Sequence, residues 1–380
     1  MIRSVRLVSP KSLAPYISAR GIQTFEPLVT DIKITRNGKT IIAQGTGGRS
    51  SRTGYTATVF GSNGFLGSHL VSRLARHGTI TVAPFREEMK KRHLKVAGDL
   101  GVVNFVEFDF RNVQSIEDAV KNSDIVYNLI GREYETKNFS YDDVHVEGAK
   151  RIAEAVDKYN VPRFVHVSAF NANSSDKVSQ FNRTKGLGEE IVREIVPHTT
   201  IVRPSTMYGN SDKFLNQIAS KSRLLVANNN QEKLRPVHVV DVAAALEQIG
   251  YDDATTGKTF ELYGPKELTM AEIQALVQGA TSNEQTVLNL PKQLYLAFAK
   301  ATQLIYWPTL SPDQVERMFI DQVIDPNAET FASLGIEPAQ LESLVIKYVR
   351  HWRSYLHLQD TVDATQALRK EREYIHIIDQ

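Results

Sequence analysis

The chain has 380 residues, of which 42% are hydrophobic and 23% charged, a composition that folds around a substantial core. It contains no cysteine, which excludes disulfides, thiolate metal sites and cysteine nucleophiles. The 45 Lys and Arg against 43 Asp and Glu give a formal net charge of +2, too small for a general nucleic-acid binder. No uncharged apolar stretch reaches the roughly 18 residues that predict a membrane-spanning helix.

Positive charge is concentrated at the amino terminus. The first 55 positions hold nine Lys and Arg against two acids, of which the first is Glu26. Arginines and serines without acids are typical of a mitochondrial import leader, and residues 1–22 are assigned to it; a basic tail is the alternative. Residues 23–54 are polar and end in a Gly/Ser-rich run, so we expect an extended arm across a partner or across the domain's own surface.

From residue 55, short apolar runs alternate with helical periodicity. The runs that predict strands are 56–60, 79–83, 104–108, 124–130, 163–168 and 199–203. Between them, apolar residues recur at helical spacing, as at Leu66, Leu70 and Leu74. This alternation predicts an α/β fold with a doubly wound parallel sheet of the Rossmann type over residues 55–264. Beyond about Gly264 the strand patterns stop, and residues 265–380 are expected to form a smaller, mostly helical carboxy-terminal part.

A glycine-rich turn follows the first of these strands. Its glycines stand at Gly61, Gly64 and Gly67, a G-x-x-G-x-x-G spacing between a strand and a helix. Glycine lets the backbone approach a pyrophosphate, and the amino end of the helix offers free N–H groups and partial positive charge. The third glycine lets the helix pack closely on the strand. We therefore predict a dinucleotide site, with a purely structural turn as the alternative.

The end of the second strand distinguishes between the two dinucleotides. An NAD-selective site carries an acid there for the ribose 2′-hydroxyl. This strand instead runs into Arg86, whose guanidinium suits a 2′-phosphate, and the basic residues 90–92 add positive potential. The acids at 87 and 88 come after the strand tip. NADP(H) is therefore predicted over NAD(H), with a solvated charge run as the alternative.

The carboxyl ends of the third and fourth strands supply further candidates, because parallel sheets gather ligands at that edge. Asp109 is suited to accept a hydrogen bond from the adenine amino group. Residues 129–131 are expected to pass beneath the adenosine ribose.

These residues together carry a family resemblance. The runs 61–67, 128–131 and 202–204, with Ser168 and Lys185, resemble the extended and atypical short-chain dehydrogenase/reductases over roughly residues 55–265. The cofactor pocket predicted from the turn, the strand ends and this resemblance comprises Gly61, Ser62, Asn63, Gly64, Phe65, Leu66, Gly67, Arg86, Asp109, Phe110, Leu129, Ile130, Gly131, Ser168, Lys185 and Pro204.

Active members of that family use a Tyr-x-x-x-Lys pair, in which the lysine lowers the pKa of the phenol so that it exchanges a proton with the substrate. In this sequence Lys185 is present, but Phe181 occupies the tyrosine position. A phenyl ring packs but cannot transfer a proton. We expect no catalytic residue, and we expect Lys185 to hold ribose hydroxyls. Rescue by Tyr208 in another geometry is the alternative.

Three runs are closer still to one mitochondrial branch of the family. Residues 128–132, 145–153 and 235–243 resemble the NADPH-binding accessory subunits of respiratory complex I. The resemblance implies a non-catalytic, peripheral protein on the matrix side of the inner membrane, which binds NADPH structurally and supports assembly among other complex I subunits. The alternatives are an active NADP-dependent reductase or epimerase and an NADP-sensing regulator of the NmrA-like kind.

The remaining candidates have simpler explanations. His238 is expected to be buried and hydrogen-bonded, and the ten histidines show no ligand spacing, so no metal site is predicted. Residues 290–307 combine an apolar stripe with lysines and aromatics, which predicts either a helix at a membrane surface or subunit groove, or one packed on its own domain. Residues 347–353, together with Tyr355, are a second candidate for docking.

Overall fold

The computed structural model describes residues 32–45, 51–226, 228–283, 285–305 and 310–353. The predicted leader and Tyr355 lie outside the described residues.

The elements are given in chain order. The strands are β1 (Ile32–Ile34), β2 (Thr40–Ile42), β3 (Thr56–Phe60), β4 (Ile80–Phe85), β5 (Val103–Glu107), β6 (Ile125–Asn128), β7 (Arg163–Val167), β8 (Thr200–Pro204), β9 (Met207–Tyr208), β10 (Arg223–Val226), β11 (Lys233–Leu234), β12 (Val237–His238), β13 (Thr259–Leu262), β14 (Leu268–Thr269) and β15 (Thr286–Asn289). The α-helices are α1 (Phe65–Arg76), α2 (Val113–Val120), α3 (Gly148–Lys158), α4 (Gln180–Ile195), α5 (Phe214–Ser220), α6 (Val239–Tyr251), α7 (Met270–Thr281), α8 (Lys292–Ile305), α9 (Pro312–Arg317) and α10 (Leu341–Val349). Short 3₁₀ helices span Met89–Val96, Asn228–Asn230, Asp253–Thr255, Phe331–Leu334 and Arg350–Trp352, and a π-helix, Asp143–Glu147, leads into α3.

A seven-stranded parallel sheet forms the centre of the molecule. Its strands lie in the order β13-β8-β7-β6-β3-β4-β5, so the direction of winding reverses between β3 and β6. In such a sheet the crevice at the carboxyl ends of the two strands at the reversal is where ligands bind. The predicted doubly wound fold is confirmed, and the glycine-rich turn follows one of these two strands.

Alternating side chains of the central strands build a core on each face of the sheet. Val59 and Tyr127 lie in the core beneath α1 and α6. Their neighbours Phe60 and Val126 point the other way, into the core beneath α2, α3 and α4. Each of these side chains is fully buried, and full burial of one large apolar side chain stabilises a fold by about 1.5–3 kcal/mol. Both faces are therefore apolar, as a parallel sheet requires.

A third core belongs to the carboxy-terminal part. It joins α5, α7 and α10 through residues such as Leu215, Ile273 and Val345. The prediction of a helical carboxy-terminal part is confirmed, but the expectation that strands stop at Gly264 is wrong. Strand β14 pairs with β11, and β15 pairs with β10. These strands are two to four residues long and their partners come earlier in the chain, so they leave no local pattern.

The described part of the amino-terminal arm contains the antiparallel hairpin β1–β2. The Ile41 side chain is buried, and the Lys39 ammonium pairs with the Asp124 carboxylate at 2.7 Å. That carboxylate also accepts a hydrogen bond from the Thr56 amide at 2.9 Å, where β3 begins. The hairpin therefore lies across the surface of its own domain.

Candidate functional site

Three glycines shape the turn between β3 and α1. Gly61 has a φ of +82°, which a side chain rarely tolerates, and its carbonyl accepts a hydrogen bond from the Gly64 amide at 2.9 Å. A Cβ on Gly67 would lie 2.2 Å from the Gly61 carbonyl oxygen. Only glycine at position 67 lets α1 start this close to the end of β3. The prediction that the third glycine serves close packing is confirmed.

The amino end of α1 carries groups that are suited to an anion. Its N-cap is Gly64, without a capping side chain, and its first turn holds no acid. The first amides of the helix have no partner within it. Within the described residues, the buried Asn63 carbonyl oxygen also has no hydrogen-bond partner, whereas the Ser62 hydroxyl donates to Pro84 O at 3.3 Å. The unmet amides fit a bound anion, whereas the Asn63 Oδ1, a side-chain acceptor, needs a donor such as a hydroxyl or amino group of a ligand.

The side chains of two of the seven predicted turn residues make contacts within the protein. The Leu66 side chain packs in the core beneath α1, and the Phe65 ring meets the edge of His69 at 5.6 Å. For Leu66, the backbone is therefore the part that a nucleotide can meet.

Arg86 is exposed just beyond the end of β4. The two acids that follow it are paired with lysines three residues further on, Glu87 with Lys90 at 2.8 Å and Glu88 with Lys91 at 3.0 Å. Lys91 also lies over the ring of Phe85, 3.7 Å from its centroid. No hydrogen bond or ion pair from the described part of the chain engages Arg86. The neighbouring acids are therefore satisfied, and the Arg86 guanidinium is available to an anionic ligand.

The residues predicted after β5 differ in what they offer. The Asp109 carboxylate accepts the amide of Arg111 at 2.8 Å and lies exposed at the strand end. The Phe110 ring is buried against Gly148, where an added Cβ would lie 1.6 Å from a ring carbon. Asp109 is therefore open to a ligand, whereas Phe110 offers only its backbone.

The loop after β6 is held to the end of β3 and approaches the buried lysine. The Leu129 amide donates to the Phe60 carbonyl at 3.0 Å, and the Ile130 amide donates to the Asn128 side-chain oxygen at 3.1 Å. A Cβ on Gly131 would lie 3.1 Å from the Lys185 Nζ. The turn after β3 and the loop after β6 thus meet at the crevice, as predicted.

Lys185 lies buried between this loop and the end of β7. Its ammonium donates to the Val167 carbonyl at 3.3 Å. Burial lowers the pKa of Lys185 to about 8. The neighbouring Ser168 hydroxyl is buried and has no partner among the described residues. A free hydroxyl and a poorly solvated ammonium therefore stand together where the sequence predicted ribose contacts.

Phe181 stands one helical turn before Lys185 on α4 and packs on all sides. Its ring meets the edges of His145 and Tyr141, with centroids 5.2 and 6.2 Å apart. The Arg317 guanidinium covers it at 4.2 Å from the centroid. The Tyr141 hydroxyl donates to the Glu133 carbonyl at 2.8 Å, and burial raises the pKa of that phenol to about 12. The Phe181 ring therefore serves as a packing element, and the neighbouring Tyr141 hydroxyl is already engaged.

Pro204 lies further from the glycine turn than the residues that follow β6. It ends β8 and pairs in register with Leu262 of β13. Strand β7 separates β8 from β6 in the sheet. Pro204 is therefore not brought to the glycine turn.

Two buried histidines were missed from the sequence. His145 accepts the Arg132 amide at its Nε2, at 3.2 Å, and its Nδ1 lies 2.9 Å from the Thr184 hydroxyl. His166 Nδ1 accepts from the Asn128 amide nitrogen at 3.1 Å. Burial, with the nearby Lys185 charge, lowers the pKa of His145 to about 2 and that of His166 to about 3. Neutral imidazoles thus position the loop after β6. The signal available in the sequence was the run 145–153, which carries the family resemblance and begins at His145.

The other tyrosine and histidine considered from the sequence belong to the carboxy-terminal core. Tyr208 is fully buried and its hydroxyl donates to the Ala339 carbonyl at 3.2 Å. The alternative of a rescuing phenol at Tyr208 is therefore wrong. His238 Nε2 lies 2.7 Å from the Tyr348 hydroxyl, so the prediction of a buried, hydrogen-bonded histidine is confirmed. The described residues contain no cluster of three or more metal-ligating side chains.

Comparisons with known proteins agree with this geometry. Residues 57–262 match the NAD dependent epimerase/dehydratase family. Over 352 residues the chain is 52% identical to the mitochondrial NADH-ubiquinone oxidoreductase 40 kDa subunit of Neurospora crassa, covering 92% of this chain and 93% of that protein. The chain belongs to the NADH-ubiquinone oxidoreductase 40 kDa subunit family.

This 40 kDa subunit family extends to animals. The mitochondrial NADH dehydrogenase (ubiquinone) 1 alpha subcomplex subunit 9 of Mus musculus is 36% identical over 332 residues, 86% of this chain and 88% of that protein. Among solved structures, UDP-glucose 4-epimerase from Thermus thermophilus, in complex with NAD, superimposes with a TM-score of 0.58 at 15% identity, over 79% of this chain and 99% of that one. The likeness to the epimerase is one of fold. The predicted resemblance to the mitochondrial branch is confirmed.

Proposed function

We propose that the chain is a non-catalytic accessory subunit of mitochondrial NADH:ubiquinone oxidoreductase that holds NADP(H) as part of its folded structure. Its relatives of 52% and 36% identity carry the names of subunits of that oxidoreductase and match it over most of their length. The single observation that carries the proposal is that Lys185 of the Tyr-x-x-x-Lys motif is present while Phe181 occupies the tyrosine position. The groups that would hold a dinucleotide are present, and Phe181 stands at the position where active members of the family carry the proton-exchanging tyrosine.

We assign each part of the nucleotide to a group of residues around the crevice. The turn 61–67 and the amino end of α1 would hold the pyrophosphate, and Arg86 the 2′-phosphate. Asp109 and residues 129–131 would hold the adenosine, and Lys185 the ribose on the nicotinamide side. Among the described residues the Ser168 hydroxyl and the Asn63 Oδ1 have no partner. A ribose hydroxyl would satisfy the Ser168 hydroxyl, whereas the Asn63 Oδ1 needs a donor and would not bond the pyrophosphate itself. Bound NADPH would bring a hydride donor to the site.

Among the described residues, the two tyrosines considered as proton donors have their hydroxyls engaged, and the two buried histidines are neutral. The Tyr141 hydroxyl is engaged by Glu133 O, and the Tyr208 hydroxyl by Ala339 O. His145 and His166 have strongly lowered pKa values and are neutral at pH 7. A bound nucleotide would therefore act as a ligand of the native state. Such a ligand stabilises a fold by about 2.7 kcal/mol when present at a hundred times its Kd.

The remaining organisation follows from this role. Residues 1–22 would direct import, residues 23–54 would form the arm, residues 55–264 would bind NADP(H), and residues 265–380 would form the mostly helical part. The protein would lie peripherally on the matrix side of the inner membrane. No described helix is both long and apolar enough to cross a bilayer.

An exposed apolar face in the carboxy-terminal part supports contact with another subunit or with the membrane surface. On α8, the Leu294 side chain is 61% exposed and the Phe298 side chain 46%. Val287 and Leu288 of β15 are also exposed. The stripe predicted from the sequence thus faces outward, while Tyr295 on the same helix is buried against its own domain. One face of α8 therefore packs on its own domain, and the exposed face is the one that we propose for contact with another subunit or the membrane surface.

The test is to purify the native protein, identify its companions and release its ligand by denaturation. We expect the chain within a large inner-membrane assembly, with about one NADP(H) released per chain. A chain that migrates alone, or an assembled chain without nucleotide, would contradict the proposal. So would NADPH oxidation by the purified protein with a carbonyl or sugar-nucleotide substrate, if Lys185→Ala abolished it.

A matched pair of glycine variants sharpens this test. Gly67→Ala places a Cβ 2.2 Å from the Gly61 carbonyl and should empty the pocket and reduce incorporation into the assembly. Gly279→Ala, in α7, adds its Cβ to open space and should change neither. Equal nucleotide content in the two purified variants would show that the turn does not hold the ligand.

A further inference from the structure

One segment of the carboxy-terminal part crosses the edge of the sheet at the carboxyl ends of the strands. Residues 311–325, called the strap below, begin with α9 and continue as irregular chain. The strap meets the loop or helix that follows β6, β7 and β8, and it reaches β13. Ligands of doubly wound folds bind outside the carboxyl ends of the strands, so the strap occupies part of the region that a ligand would use.

The first contact is at the amino end of α4. The Asp313 carboxylate accepts hydrogen bonds from the Ser179 hydroxyl at 3.1 Å and from the Gln180 amide at 2.7 Å. It also approaches the Phe181 amide at 3.5 Å, across 132 positions of sequence. An anion at a helix amino end is favourable because it meets unpaired amides and the positive end of the helix dipole. Asp313 therefore anchors the strap on the helix that carries Phe181 and Lys185.

The second contact covers the position of the missing phenol. Arg317 lies over the Phe181 ring at 4.2 Å and pairs with Asp313 at 3.3 Å. A guanidinium stacked on an aromatic face is attracted to the electron-rich ring. The Ser311 hydroxyl donates to the Glu133 carbonyl at 3.4 Å, in the loop after β6. Phe181 is accordingly only 9% exposed.

The end of the strap is tied to the next two strand ends. Gln322 accepts from the Ser205 hydroxyl at 2.7 Å and donates to the Thr206 hydroxyl at 3.1 Å, directly after β8. The Asn171 side chain, after β7, donates to the Asp321 carbonyl at 2.9 Å and accepts from the Val323 amide at 3.1 Å. These bonds hold the irregular chain flat against the edge of the sheet.

The last tie is to β13, where the Asp325 amide donates to the Glu261 carboxylate at 2.9 Å. Within the described residues, none of the strap's hydrogen bonds reaches the turn 61–67 or Arg86. The strap thus covers the β7, β8 and β13 side and leaves the turn uncovered.

We propose that the strap is a built-in plug, which fills the place of a second substrate beside Phe181 so that the pocket accepts a dinucleotide and nothing else. The inference rests on the proposed function and extends it. The missing phenol removes the proton donor, and the strap removes access to the place where that phenol would act. Restoring a tyrosine at position 181 would then be insufficient to restore turnover, because the segment above it stays in place.

The absence of cysteine allows a direct measurement of access. Phe181→Cys creates the only thiol of the chain, and its alkylation by iodoacetamide in the native, nucleotide-loaded protein reports access beneath the strap. Val178→Cys, three residues earlier and 52% exposed, is the matched control. We expect alkylation at position 181 to be at least about tenfold slower than at position 178. Equal rates would overturn the proposal.

The second arm releases the strap. Arg317→Ala and Asp313→Asn, each combined with Phe181→Cys, should raise the alkylation rate at least about fivefold, because they remove the cover and its anchor. Glu316→Ala, on the same helix, removes only an ion pair with Lys292 and should leave the rate unchanged. A rate that stays low in both strap variants would show that another element covers the site, and the proposal would be wrong.

Two measurements keep the result interpretable. If Phe181→Cys does not fold, limited proteolysis within residues 311–325 replaces it: we expect cleavage at least about fivefold faster in Arg317→Ala than in the unsubstituted protein, and equal rates would overturn the proposal. The nucleotide content of every sample is measured after denaturation. Rapid alkylation in protein that retains NADP(H) overturns the plug proposal but not the proposed function. Protein that folds without nucleotide contradicts the proposed function, and the alkylation rates then still test the plug.

Discussion

Arg86 is the residue to which we assign the proposed preference for NADP(H). Its guanidinium is exposed at the end of β4, and the acids beside it are paired with lysines. Hydrogen bonds to a charged group contribute about 1.5–3 kcal/mol, which corresponds to roughly 10- to 100-fold in affinity. Arg86→Ala should therefore lower the affinity for NADPH by that factor and the affinity for NADH by less than about twofold. Calorimetry on nucleotide-depleted protein measures both affinities.

The control for this prediction lies in the same charge run. Arg92 is also exposed, and Arg92→Ala removes the same formal charge at a distance from the strand tip. It should change the two affinities little and equally. An equal loss of NADPH and NADH in Arg86→Ala would show that the guanidinium meets a part common to both nucleotides.

At the scale of elements, a buried ion cluster fixes α4 against the sheet. Arg203 of β8 pairs with Glu189 of α4 at 2.7 Å and with Glu261 of β13 at 3.5 Å. Both carboxylates are almost fully buried, and burial raises the pKa of Glu261. Since α4 carries Phe181 and Lys185, this cluster sets where the lysine stands.

Removing the arginine should therefore be costly. Arg203→Met leaves two buried carboxylates without their cation, and breaking a buried pair in this way costs about 3–5 kcal/mol. We expect that loss in the free energy of unfolding by urea, together with loss of bound nucleotide. Lys121→Ala, which breaks an exposed pair with Asp118, should leave the free energy of unfolding almost unchanged. A similar small loss in Arg203→Met would contradict the role assigned to the cluster.

At the scale of the whole molecule, the two buried histidines make stability depend on pH. His145 and His166 have folded pKa values of about 2 and 3, below the unfolded value of about 6.5. Below pH 6.5 the unfolded chain binds more protons than the folded chain, so stability falls as the pH falls. As the pH falls below 6.5, each histidine lowers the free energy of unfolding by about 1.4 kcal/mol per pH unit. Glu232 acts in the opposite sense between pH 7 and 4.5, because burial raises its pKa to about 7.

A variant isolates this effect from the opposing carboxylate. His166→Gln removes one titrating group, so the loss of unfolding free energy between pH 6.5 and 5 should shrink by about 2 kcal/mol. Urea unfolding at a series of pH values measures it. The same substitution at the exposed His93 should leave the slope unchanged. Parallel curves for wild type and His166→Gln would mean that His166 is protonated in the folded protein.

Local pattern was sufficient to predict much of the fold and of the crevice. The sheet followed from apolar runs that alternate with helical periods, and the turn followed from glycines at positions 61, 64 and 67. The absence of a phenol could be read at position 181, because the Tyr-x-x-x-Lys spacing lies within one helix. These features have partners a few residues away, so their physical constraints are written in adjacent positions.

The features that escaped prediction depend on partners far along the chain. Strands β14 and β15 pair with earlier segments, and His166 acts through Asn128 of the neighbouring strand. Burial gave His145 and His166 their pKa values, and burial is a property of the assembled core. The position of Pro204 likewise depends on the order of strands in the sheet, which decides which strand ends are neighbours.

The amino-acid sequence by itself determined that this protein has a dinucleotide fold, a basic residue at the end of β4 and a phenyl ring where a proton donor would stand. Only the tertiary structure decided that this ring is covered. The cover forms because Asp313 and Arg317 meet the start of α4 from across more than a hundred positions of chain. Such a contact has no sequence period or spacing, because it arises from the geometry with which the carboxy-terminal part packs on the sheet.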